Sequence, residues 1–206
     1  MLLSFLGCDG SGKSAVIAGV TERLRADGLT VTHGHWRPVA TRLESADSTR
    51  AAADDPHGQV PRGTASSVLK LGWLWLNWWM GWWKFLGSAS RNGIVLFDRY
   101  HADILVDPRR YRYGGPMWLA QLASRLMPQP DVVIFLDAEP EVLLARKQEV
   151  SKEALEKSRK RYLHLCRLNS RCEVVDASLP LEEVVSLVLQ RISSFRPVGR
   201  IRLAPP

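Results

Sequence analysis

Residues 7–14 read GCDGSGKS and satisfy the pattern G-x-x-x-x-G-K-[ST]. Few octapeptides constrain a chain as tightly, because the pattern fixes a strand before it, a helix after it and an anion between them. Gly7, Gly10 and Gly12 carry no Cβ, so the backbone can turn sharply and aim successive N–H groups, those of Cys8, Asp9 and Ser11 among them, toward one point. The following helix adds its positive end. Lys13 supplies an ammonium for β- and γ-phosphate oxygens, and the Ser14 hydroxyl is placed to bind Mg²⁺. The whole stretch Gly7, Cys8, Asp9, Gly10, Ser11, Gly12, Lys13 and Ser14 is therefore the expected triphosphate site, with Lys13 catalytic. The context agrees. Residues 1–6 (MLLSFL) form an apolar run suited to a buried parallel strand, and residues 15–26 space Val16, Ile17, Val20 and Leu24 as a helix does, ahead of Gly28.

The remaining chain repeats that alternation. Apolar or β-branched runs at 30–35, 94–97, 131–137 and 173–176 alternate with helical patterns at 68–86, 117–127, 140–148, 153–168 and 181–193. Five strands interleaved with helices predict an α/β fold, a three-layer sandwich with a five-stranded parallel sheet covered on both faces. With 206 residues and 46% hydrophobic content, one domain with a full core accounts for residues 1–206. Residues 39–67 lack periodicity and hold Pro56, Gly58, Pro61 and Gly63, which reads as a long loop, either an insertion or a flap that closes over substrate. Residues 196–206 carry no pattern and read as a frayed tail.

Residues 68–86 (VLKLGWLWLNWWMGWWKFL) hold six of the eight tryptophans. A helix apolar nearly all round belongs in a core, at a subunit interface or in lipid. Lys70, Asn77, Lys84, Gly72 and Gly81 interrupt it, so burial or pairing is expected and a membrane span is not. The net charge of +7 suits anionic small ligands and does not by itself call for nucleic acid. Between 146 and 171 nine Lys/Arg face three Glu, and the helix 157–161 within it reads as a solvated basic face. Three cysteines (Cys8, Cys166, Cys172) without metal-site spacing fit a reducing cytoplasm and no disulfide framework. Met1 has no basic segment or cleavage site before the glycine loop, so no signal peptide is expected.

Four landmarks in order resemble the thymidylate kinases within the nucleoside-monophosphate kinases. They are the loop with Asp9, the pair Arg37-Pro38 after the second strand, Asp98-Arg99-Tyr100 at the end of the third, and FLDAEPEVLLAR followed later by VVDAS. The resemblance spans nearly the whole chain. It implies an ATP- and Mg²⁺-dependent kinase, cytoplasmic and homodimeric, that passes the γ-phosphoryl to a nucleoside monophosphate, with thymidine monophosphate the default acceptor. It implies that Asp98 and Ser14 serve the metal, that Arg99 reaches phosphate oxygens, and that Asp9 stands near the acceptor. It also implies that Arg37 binds the acceptor phosphate, with Tyr100 and Arg109 beside it. Gly10 stands where the family's loop arginine would, which leaves Arg146, at the start of a short lid at 146–156, to neutralise transition-state charge and contact ATP, with Lys147 next. The tryptophan segment departs from the family, with no arginine before Arg91. Two other readings follow from that departure: a related kinase of another small acceptor such as a sugar or glycan precursor, or a partner-regulated ATPase.

Overall fold

A computed structural model describes residues 1–35, 62–89, 93–148 and 150–195. Five parallel strands form one sheet: β1 (Leu2–Gly7), β2 (Thr30–His35), β3 (Gly93–Asp98), β4 (Val132–Asp137) and β5 (Cys172–Asp176). Their order is β2-β3-β1-β4-β5. All six residues of β1 and the first five of β3 and of β4 are buried, as continuous apolar strands must be between two helical layers. The register pairs Phe5 with Asp98, Gly7 with Leu136, and Asp137 with Asp176. The carboxyl edge thus presents Gly7 in the middle and an aspartate at the end of each of β3, β4 and β5. In open sheets of this kind ligands bind outside that edge, where the chain reverses its direction of travel across the sheet.

The helices of the described residues are α1 (Lys13–Ala26), α2 (Thr64–Ala89), α3 (Asp103–Val106), α4 (Met117–Arg125), α5 (Pro140–Arg146), α6 (Lys152–Arg167) and α7 (Leu181–Ser194). α1 buries Val16, Ile17, Val20, Thr21 and Leu24, and α7 packs beside it through Val184, Val185, Val188 and Ile192. On the other side of the sheet Trp78 of α2 and Met127 after α4 join Leu2, Val95, Phe97 and Tyr100 in an aromatic cluster. The fold class is the one expected, and so is the alternation of elements.

Several local expectations are corrected. The strand expected at 1–6 runs on through Gly7, and α2 begins at Thr64, inside the segment expected as loop. Thr64–Ser67 carries no helix breaker beyond Gly63, and Ser67 is anchored by donating to the Arg62 carbonyl and accepting from the Gly114 N–H. A single helical turn, α3, stands between β3 and α4. Cys166 and Cys172 are disulfide-bonded, with Cα atoms 5.0 Å apart. An odd cysteine count does not prevent one pair, and the tight turn from α6 into β5 brings these two together. The expectation for α2 is met in halves. Leu71, Leu74 and Trp78 are buried, while Leu69, Trp73, Leu76 and Met80 form an exposed stripe on the opposite side. Among the described residues no helix is long and apolar enough to cross a membrane.

Candidate active site

β1 delivers Gly7 at the middle of the sheet, and the loop turns there into α1. Two positions demand glycine. Gly10 and Gly12 have φ of 85° and 77°, in the left-handed region, and a Cβ on Gly10 would meet the Leu143 carbonyl oxygen at 2.6 Å. Lys13, buried at the start of α1, folds its ammonium back under the loop. It donates to the carbonyls of Gly7 (2.8 Å) and Cys8 (3.0 Å) and to Ser11 Oγ (3.3 Å). Burial, followed by the nearby Arg99 guanidinium, lowers its pKa from 10.5 to about 8. Burial pushes the free Cys8 thiol up to about 12, so it is protonated and inert.

Ser14 is exposed at the first turn of α1 and lines a cleft with Asp98, Gly34 and His33. Asp98 Oδ1 is buried and accepts no hydrogen bond. A carboxylate oxygen withheld from water and from protein donors, lining one cleft with an exposed hydroxyl, is a donor set suited to a hard cation that keeps most of its own waters. Ser14 and Asp98 therefore fit Mg²⁺.

Arg99 follows Asp98 with φ of 64°, an uncommon conformation for a side-chain-bearing residue, and its side chain is buried. Its NH2 group donates to Asp9 Oδ1 at 2.9 Å and its NH1 group to Asp103 Oδ2 at 2.7 Å. Asp103, fully enclosed, also accepts from the hydroxyls of Tyr111 on Oδ2 and Tyr162 on Oδ1. Burial alone would raise the Asp103 carboxyl; Arg99 and the two tyrosines outweigh it and hold it below the usual carboxylate range. Asp9 is held down in the same way, burial being outweighed by Arg110 and then Arg99. Arg110 NH1 donates to Asp9 Oδ2 at 2.6 Å. A small polar cavity lined by Gly7, Cys8, Asp9, Arg99, Arg110 and Tyr162 lies against this cluster.

The expected residues thus fall into groups. Gly7, Asp9, Lys13, Asp98 and Arg99 meet at the carboxyl edge. Tyr100 is buried, its ring packed on Trp78 and its hydroxyl donating to the Pro128 carbonyl. Arg109 is exposed, and its neighbour Arg110 is the one that reaches Asp9. Arg146 stands on the far side, at the end of α5, where NH1 donates to the Ala177 carbonyl at 2.8 Å. Arg37 lies outside the described residues. The basic helix is not simply a solvated face: Arg159 grips both Asp137 oxygens (2.7 and 3.0 Å) and also pairs with Glu139, and Arg161 donates to the Val106 carbonyl. Asn77 donates to the Trp73 carbonyl within α2, and Lys70 donates to the Tyr111 carbonyl.

Sequence reasoning missed Arg110, Asp103, Tyr111, Tyr162 and Arg159. Asp103 alone left a signal, an acid four residues after Arg99, although no helical turn joins the two, since Arg99 has φ of 64° and α3 begins at Asp103. The others join residues far apart in the chain, and spacing does not show that.

Comparison with known proteins points one way. A thymidylate kinase family profile matches residues 82–188. A probable thymidylate kinase of Methanopyrus kandleri is 33% identical over 171 residues, covering 82% of this chain and 75% of that protein. One of Sulfolobus acidocaldarius is 33% identical over 208 residues, covering 94% and 97%. A third, of Archaeoglobus fulgidus, is 28% identical over 204 residues, covering 95% and 96%.

Proposed function

The chain belongs to the thymidylate kinase family, an ATP-dependent phosphotransferase of the nucleoside-monophosphate kinase type, and on that premise we propose that it transfers the γ-phosphoryl of ATP to thymidine monophosphate. The observation that carries this reading is the meeting of two anion-binding sets at one sheet edge. The glycine loop with Lys13 lies over the end of β1, and the pair Arg99 and Arg110 converges on Asp9 in that same loop. Phosphoryl transfer asks a protein for positioning and charge neutralisation more than for covalent chemistry.

In this reading the loop amides and Lys13 hold the donor β- and γ-phosphates, and Lys13 exchanges its loop carbonyls for phosphate oxygens as ATP enters. Asp9 fixes the two guanidiniums that face the acceptor. Asp98 and Ser14 would hold Mg²⁺, which would supply further neutralisation of the phosphate charge. Arg146, at the lid, turns from the Ala177 carbonyl toward the transferring group. The enzyme acts as a cytoplasmic homodimer, and the exposed stripe Leu69, Trp73, Leu76 and Met80 on α2 supports a subunit interface, since apolar area of that kind is covered in most soluble proteins.

A coupled ATP-consumption screen across nucleoside monophosphates, nucleosides and sugars tests the reading. Turnover with thymidine monophosphate is expected. Turnover with a sugar alone moves the protein to the second acceptor class, a reading favoured by the absence of arginine from α2. Slow hydrolysis indifferent to every acceptor leaves a partner-regulated ATPase. Sedimentation without detergent should give a dimer that Trp73→Ser with Leu76→Ser converts to monomer.

A further inference from the structure

Arg99 and Arg110 contact the same carboxylate, but they are not equivalent. Arg99 is enclosed on both sides, one arm on Asp9 and the other on Asp103, and its side chain is 10% exposed. Arg110 is 27% exposed and spends one N–H on Asp9 Oδ2. Among the described residues no other group takes a second N–H from its side chain. A guanidinium carries five donors in a rigid fork, so most of the fork is open, and Arg110 lines the small polar cavity beside Gly7, Cys8 and Asp9. The backbone beneath it is braced, because the Arg110 N–H donates to Asp107 Oδ1 at 3.2 Å. The fork is thus half immobilised before any ligand arrives.

α2, by contrast, offers no arginine to an acceptor. Its Lys70 is directed at the Tyr111 carbonyl and its Asn77 at its own helix. We propose that Arg110 is a specificity-determining residue: Asp9 holds one edge of its guanidinium, the open edge binds the phosphate of the acceptor, and the enzyme thereby prefers a nucleoside monophosphate to the nucleoside. This rests on the reading under Proposed function. The chemistry is that of a planar fork meeting an oxyanion, which a lysine in the same place cannot reproduce.

Calorimetric binding of thymidine monophosphate and of thymidine to the wild type, Arg110→Ala and Arg110→Lys tests the assignment, with a non-hydrolysable ATP analogue as the control for an intact loop. In Arg110→Ala the monophosphate should bind roughly 10- to 100-fold more weakly, the worth of a charge-assisted contact. Thymidine and the ATP analogue should change by less than about twofold, which is under 0.5 kcal/mol. Arg110→Lys should fall between, because it keeps the cation beside Asp9 and loses the fork. If Arg110→Ala melts too low to measure, Arg110→Lys decides, and unchanged monophosphate binding in it overturns the proposal. Equal losses for monophosphate and nucleoside, or none for either, also overturn it while the kinase reading stands. A wild type that neither binds nor phosphorylates any nucleoside monophosphate overturns both.

Discussion

Lys13 has every donor of its ammonium occupied by the loop it serves, and burial has brought its pKa to about 8. The sign of the consequence follows. Burial disfavours the charged form, so in the free enzyme the ammonium is present below about pH 8 and is lost above it. Because kcat/KM reports free-enzyme ionisations, kcat/KM for ATP should fall as pH rises through 8, whereas kcat should persist to higher pH, bound phosphate restoring the charged form. Paired pH profiles measure this, and a kcat/KM flat to pH 9.5 would refute it. Lys13→Ala should lower kcat by about 10²–10³ and leave the circular dichroism unchanged. The glycines of the loop separate conformation from space. Gly12→Ala meets no atom within 4 Å and pays only for its φ of 77°, about 1–2 kcal/mol in thermal unfolding. Gly10→Ala meets the Leu143 carbonyl oxygen at 2.6 Å as well, so it should destabilise more and weaken ATP binding where Gly12→Ala largely spares it. Equal effects would show that the approach of α5 to the loop does not matter.

At the scale of elements, Asp103 joins three of them. It lies on the single turn α3, takes Arg99 from the end of β3, Tyr111 from the segment before α4, and Tyr162 from α6. Asp103→Asn removes a buried charge and leaves Arg99 unbalanced there, which should cost about 3–5 kcal/mol of stability. Tyr162→Phe removes one hydrogen bond and should cost about 1 kcal/mol. Chemical denaturation measures both, and a larger loss for Tyr162→Phe would show that α6, not the ion pair, organises the cluster. The pH sense is that of a depressed carboxylate. Its contribution is present above the unfolded carboxyl range and is lost as pH falls through and below it. This element-level wiring marks the limit of what a sequence displays. Apolar runs and 3.6-residue periodicity revealed the strands and most helices, since they depend on neighbours in the chain, and the glycine loop was legible because its residues are contiguous. The cluster around Asp9 was half legible. Asp9 and Arg99 sit in recognisable patterns, but Arg110 reaches Asp9 across 101 positions and Tyr162 reaches Asp103 across 59. Arg159 looked like surface because its partner Asp137 ends a strand that reads as purely apolar. The Cys166–Cys172 pair was hidden by an odd count.

Across the whole molecule, the strand order divides the carboxyl edge in two. β1 stands at the centre with the phosphate loop at its end. β3 and β2 lie on one side with Asp98 and Arg99, and β4 and β5 on the other with Asp137, Asp176 and the α5–α6 connection. On the reading proposed above, donor phosphates over β1 leave one flank for the rest of ATP and the other for the acceptor. Arg146, tied to the Ala177 carbonyl just beyond β5, belongs to the first flank. Asp9 faces Arg99 and Arg110, which belong to the second. The two Michaelis constants should therefore separate by flank. Arg146→Ala should lower kcat and raise KM for ATP by about tenfold, the worth of one charge-assisted contact, and leave the acceptor KM within about twofold. Asp9→Asn should do the reverse, because it loosens Arg110, while Asp103 still holds Arg99, without touching the loop amides. Asp9→Asn also keeps the side chain's size, so a collapse of the loop would appear as a rise in the KM for ATP and would be recognised as such. Steady-state kinetics with each substrate varied in turn decides the matter. If both variants shift both constants alike, the edge does not divide at β1, and donor and acceptor must overlap on a single flank.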